Sequence, residues 1–103
     1  MDTQRVRNLT TGRLHTKMED IYTDIEILTG EEGVMTHQLP NACRALEPYL
    51  REHVTDERFW NGEYDTTHIG ETAIPPMGEE DREKMWRRYS EMPSPLSLMT
   101  AKP

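Results

Sequence analysis

Apolar residues in the middle of the chain recur every three or four positions, the period of a helix with one buried face. Met18, Ile21, Tyr22, Ile25 and Leu28 form the first stripe. Thr16 and Glu19, three apart, read as a capping box at its start, and Gly30 as a left-handed stop at its end. This predicts a helix over about residues 17–29. Leu39, Ala42, Cys43, Leu46, Leu50 and Val54 form a second stripe, predicting a helix over about 38–54. Pro40 is tolerated in its first turn, whereas Pro48 removes a hydrogen bond to the Arg44 carbonyl and is expected to kink it. A third helix is expected over about 79–92, with Met85, Trp86, Tyr89 and Met92 on its apolar face. Glu79, Glu80 and Asp81 in its first turn and Arg87 and Arg88 near its end complement the helix dipole.

Elsewhere the patterning weakens. Residues from Thr3 to Leu14 alternate loosely, with a Thr11-Gly12 turn, and read as a short strand or hairpin anchored by Val6, Leu9 and Leu14. Phe59-Trp60 and Glu63-Tyr64 flank Asn61-Gly62, a dipeptide favoured in two-residue hairpin turns. Ile74-Pro75-Pro76 reads as an extended linker. The expected class is mainly α, three amphipathic helices with a small β element or hairpin, and α+β is the alternative. Residues 1–95 are expected to form one small domain and 96–103 an extended tail.

Composition limits the core. Of 103 residues 34% are hydrophobic and 30% charged, with mean hydropathy −0.87, so little apolar surface can be buried. No apolar run is long enough to span a bilayer, which argues against a membrane partner. The single cysteine fits a reducing compartment, and the start of the chain lacks a signal peptide's apolar core. The cytoplasm is the expected location.

The net charge of −7 disfavours direct nucleic-acid binding, and its distribution says more. Residues 1–17 carry +3, residues 18–80 carry −12 and residues 81–103 carry +2. Between Met18 and Gly33 stand Glu19, Asp20, Asp24, Glu26, Glu31 and Glu32, with no basic residue among them. Such a run can simply solvate a helix face. A solubilising face usually mixes both signs, however, because opposite charges four apart stabilise a helix and like charges destabilise it. A one-signed face is suited to steering onto a basic surface of a partner. Trp60, on the expected hairpin, is the candidate aromatic anchor of such an interface.

Catalytic chemistry is less well represented, and the chain is expected not to be an enzyme. Cys43 falls in phase with Leu39, Leu46 and Leu50, as a small core residue would. His15, His37, His53 and His68 lack the short paired spacing of zinc ligands. Glu63, Asp65 and His68 are the closest metal-ligand set, and a small metal-dependent nuclease is the enzymatic alternative. No phosphate loop or nucleophile elbow is present, so no cofactor is expected. Arg82, Arg87 and Arg88 with Trp86 and Tyr89 have the composition of a nucleic-acid-binding face, yet the aromatics fall on the expected core stripe. Seven methionines suit adaptable packing, in a small core or between copies, so a self-associating protein or homodimer is a further alternative.

Thr11-Gly12-Arg13-Leu14, Ile21-Tyr22, Leu28-Thr29-Gly30, then Thr36-His37-Gln38-Leu39-Pro40 and Ala42 resemble a family of small tailed-bacteriophage proteins over about residues 11–50. That resemblance implies a phage origin, action in the bacterial host cytoplasm and no particular chemistry. By analogy with acidic phage proteins that block host defence, anti-CRISPR proteins among them, the expected function is inhibition. The acidic face would occupy a basic, nucleic-acid-binding surface of a host protein or nucleoprotein complex. A phage accessory or assembly role is the self-associating version.

Overall fold

The computed structural model describes residues 1–93, so the expected tail over 96–103 lies outside the described residues. Among the described residues there are four helices: α1 (Thr3–Thr11), α2 (Met18–Thr29), α3 (Leu39–His53) and α4 (Glu79–Glu91). Single 3-10 turns at Thr36–Gln38 and Glu57–Phe59 flank α3.

The mainly helical class and the three expected helices are present, with ends within two residues of those expected. Gly30 stops α2 in the left-handed region at φ 70°, its N–H donating to the Glu26 carbonyl at 2.8 Å. The expected cap at the other end does not form. Lys17 occupies the N-cap position without a side-chain bond, and the Thr16 hydroxyl instead accepts from Asn8 Nδ2 at 2.7 Å. Helix α3 runs through Pro48 as one element, and its buried stripe of Leu39, Ala42, Leu46, Leu50 and Val54 continues in phase on both sides.

Two expectations of β structure are overturned. The first segment is helix α1. Asp2 caps it by accepting from the N–H groups of Gln4 and Arg5 at 3.0 and 3.3 Å, and Gly12 ends it at φ 70°. Its buried face is Thr3, Val6, Arg7, Asn8 and Leu9, so polar residues occupy positions that an apolar stripe would mark. No hairpin surrounds Asn61-Gly62, and among the described residues the only β pairing is an isolated bridge between Asp2 and Glu71. Carbonyls that a hairpin would use are taken elsewhere. Arg7 donates to those of Arg58 and Glu63, while Asn61 Oδ1 accepts from Glu63 N at 2.9 Å to close a local turn.

Helix α3 is the centre of packing, with α4 against one side and α1 against another, and α1 packs on α2. The main apolar cluster draws on all four helices, with Leu9, Ile25, Leu28, Leu46, Leu50 and Met85 among its members. Val6, Val54 and Phe59 form a smaller cluster under the 57–60 turn. The Ile74-Pro75-Pro76 linker has no regular secondary structure, and the segment around it is tied down. Thr3 N donates to Gly70 O at 2.9 Å, Tyr49 Oη to Pro75 O at 2.5 Å and Met77 N to Leu28 O at 2.9 Å. Among the described residues no helix is long and apolar enough to cross a membrane.

Candidate protein-binding surface

Helical phase divides the six carboxylates of the Met18–Gly33 stretch. Ile21, Asp24, Ile25 and Leu28 share the inward face of α2, because positions three, four and seven apart stack on one side. Asp24 is therefore buried, at 2% exposure, rather than displayed opposite the apolar stripe as expected. Arg5 of α1 meets it with a two-pronged bond, Nε to Oδ2 at 3.0 Å and Nη2 to Oδ1 at 2.7 Å. The same guanidinium stands 4.0 Å from half-buried Asp20. Burial pushes the Asp24 carboxyl above its usual range, and donation from Arg5 opposes that rise.

Glu19, Glu26, Glu31 and Glu32 remain outward and exposed. Glu19 and Glu26 lie two turns apart on one face, about 10 Å along the axis. Glu31 and Glu32 follow the Gly30 stop, where Glu31 N donates to Thr29 Oγ1 at 3.2 Å and orders the turn. Among the described residues none of these four glutamates has an ion-pair partner within 4.0 Å. Exposed Ile27 stands beside Glu26.

Trp60 is half-buried and engaged within the chain. Its Nε1 donates to Val54 O at 2.9 Å, and the Arg51 guanidinium lies 4.1 Å from its ring centroid. One face and its polar atom are thus already used, which corrects the picture of a tryptophan presented on a hairpin tip.

Glu63, Asp65 and His68 do not converge, and among the described residues no group of three or more His, Cys, Asp or Glu could hold a metal ion. The reason lies in fully buried Arg7. Its Nη1 lies 3.0 Å from His68 Nδ1 and donates to Arg58 O at 2.7 Å, while its Nη2 donates to Glu63 O. Because a guanidinium can only donate, His68 Nδ1 accepts and its ring proton sits on Nε2, 3.6 Å from Asp56. The lone pair a metal would need is occupied. Burial lowers the His68 pKa, helped by the positive charges of Arg58 and Arg7 and opposed by Asp56. Asp65 is turned onto Thr67, whose N–H and hydroxyl hold its carboxyl below the usual range. Donation from Arg58 holds Asp56 at about 2.

Sequence reading missed Arg7 altogether, since nothing in a local window distinguishes a buried arginine from an exposed one. Other candidates resolve into packing. Half-buried Cys43 has its thiol pushed up to about 11 by burial, far from a reactive thiolate. Arg88 donates Nε and Nη2 to Ala45 O at 3.1 and 2.9 Å and so ties α4 to α3. An apolar groove of about 580 Å³ opens between α1, α2 and α3, with Leu9, Ile21 and Leu39 in its lining. Leu14 and Met18 rim it at 45% and 41% exposure, so Met18 is not the core residue its stripe implied.

The family model described as Domain of unknown function (DUF7736) matches residues 1–60. The chain belongs to that family. Its matched span holds α1, α2, α3 and the Glu57–Phe59 turn, and so includes the Arg5–Asp24 pair, Arg7 and the outward glutamates of α2. His68 and α4 lie beyond it. No curated protein and no solved structure matches the chain.

Proposed function

We propose that this DUF7736 member acts by stoichiometric protein binding, using the outward face of α2 and the turn after it to hold a basic surface of a partner. The observation that carries this reading is the division of the carboxylates. Asp24 and Asp20 are met by Arg5, whereas Glu19, Glu26, Glu31 and Glu32 face outward with no ion-pair partner within 4.0 Å among the described residues. Carboxylates left unpaired at a surface attract a positive partner over a range set by ionic strength. Analogy with acidic phage proteins that block host defence extends the proposal to a nucleic-acid-binding surface of a host defence complex as the target, with inhibition as the outcome.

Reversal of Glu19, Glu26 and Glu31 to Lys is the direct test. Affinity purification from a bacterial host should recover a partner with the native chain and lose it with the triple variant. The complex should also weaken as salt rises, with a shallower salt dependence for single reversals. Equal recovery by native and triple-variant chains would sink the proposal.

Self-association draws on a different observation, the apolar groove rimmed by Leu14 and Met18. A concentration-dependent homodimer in light scattering, abolished by Met18→Glu, is the result that would favour it. The metal-dependent nuclease draws no support from its candidate residues, because among the described residues Glu63, Asp65 and His68 do not gather into a ligand set and Arg7 stands at His68 Nδ1.

A further inference from the structure

A recess of about 340 Å³ lies where the turn after α2 meets α4, lined by Glu31, Glu32, Val34, Gln38, Trp86 and Tyr89. The two aromatic rings pack edge to face, with centroids 5.3 Å apart and planes at 78°. Both rings are half-buried, packed against the main cluster on their inner side, so the recess has a rigid aromatic wall. The carboxylates of Glu31 and Glu32, both in that lining, have no ion-pair partner within 4.0 Å among the described residues. Gln38 is held by Met35 N, which donates to its Oε1 at 2.7 Å and leaves its Nε2 donors without a partner among the described residues. Among the described residues Arg82 makes no ion pair with either glutamate within 4.0 Å, although its guanidinium lies against neighbouring Gly30.

Aromatic faces and carboxylates share one kind of ligand, an organic cation. This chain already uses that chemistry, with Arg51 over Trp60 at 4.1 Å and Arg13 over Tyr64 at 5.9 Å. Among the described residues no such cation covers Trp86 or Tyr89. We infer that this recess is a socket for a single arginine side chain of the partner, its guanidinium held between the Trp86–Tyr89 wall and the carboxylates of Glu31 and Glu32. Arginine suits it better than lysine, since a planar guanidinium can stack on a ring and donate to two carboxylates at once. The inference rests on the basic-partner reading and gives it a specific anchor point.

The test uses the full chain with Trp60→Phe, which makes Trp86 the only tryptophan, and an arginine nonapeptide as probe. Titration should shift Trp86 emission. Tyr89→Leu, checked for an unchanged helical circular dichroism spectrum, should weaken peptide binding about three- to tenfold. The Glu31→Gln, Glu32→Gln pair should weaken it by about tenfold or more and make its salt dependence shallower. A nonapeptide of lysine should bind less tightly and shift Trp86 less. Binding that leaves Trp86 emission unchanged and is indifferent to Tyr89→Leu would overturn the socket while leaving the acidic-face reading standing. No binding of either peptide at low salt would overturn both. Tighter binding of free argininamide than of the peptide would overturn the assignment to a partner side chain.

Discussion

Arg7 shows how much one residue can organise when its partners are distant in sequence. It is fully buried, and its donors reach Arg58 O, Glu63 O and His68 Nδ1, so one guanidinium ties α1 to the segment that follows the Glu57–Phe59 turn. Truncation would leave those acceptors unpaired away from water, which costs more than the bonds themselves contribute. Arg7→Ala should destabilise the fold by about 3 kcal/mol or more in urea unfolding, and a loss under about 1 kcal/mol would contradict this role. Arg7 also sets the protonation of His68. An imidazolium would place a second positive charge 3.0 Å from a guanidinium, so the folded chain prefers the neutral ring. The pKa of His68 is lowered below 6.5 in the fold, so the unfolded chain takes up the proton first. The stabilising contribution is complete above pH 6.5 and is lost as pH falls through the lowered folded value. Chemical denaturation between pH 7 and pH 5 should show that fall, and His68→Gln should flatten it.

At the scale of elements, local chemistry and tertiary partners can be separated. Gly30 ends α2 because its φ of 70° favours a residue without Cβ, and a Cβ there would also meet the Arg82 guanidinium. Gly30→Ala should cost about 1–2 kcal/mol of stability. In an Arg82→Ala background the cost should shrink, since only the backbone strain remains, and a double-mutant cycle with no coupling would refute the contact. Helix α3 persists through Pro48 because Leu39, Ala42, Leu46 and Leu50 are all buried, and that burial outweighs one absent backbone bond. Helix α1 illustrates the reverse. Its inward face carries Arg7 and Asn8, so helical periodicity of apolar residues, the signal that revealed α2, α3 and α4, is missing there. Asn8 is spent on its neighbours, its Oδ1 accepting from His15 N at 2.6 Å and Thr16 N at 3.2 Å, which displaces the expected Thr16 cap.

Across the whole molecule, charge is sorted by what each residue meets. The basic ends contribute inward: Arg5 to Asp24, Arg7 to carbonyls and an imidazole, Arg88 to Ala45 O. Those cations are therefore partly or fully withdrawn from the surface, while Glu19, Glu26, Glu31 and Glu32 stay outside. The surface around α2 is more one-signed than the net charge of −7 conveys. Glu31 and Glu32 border the aromatic recess as well, so the charge that would steer a partner also lies where an arginine would lock in. The triple reversal removes attraction and, through Glu31, part of the socket, so it should change both association and dissociation rates, whereas Tyr89→Leu touches anchoring alone and should act on dissociation.

What the amino-acid sequence determined by itself was everything encoded within a turn or two of helix. The stripes of α2, α3 and α4, the Gly30 stop and the excess of acid between Met18 and Gly33 all follow from spacings of three, four and seven residues. Tertiary structure alone decided which of those acids face water, whether Asn61-Gly62 starts a hairpin, and whether His68 keeps a free lone pair. Each of those outcomes depends on a cation of α1, half-buried Arg5 or fully buried Arg7, meeting groups between 15 and 61 residues further along the chain. A buried polar group must find its partner wherever the fold brings one, so its destination cannot be read from its neighbours in sequence.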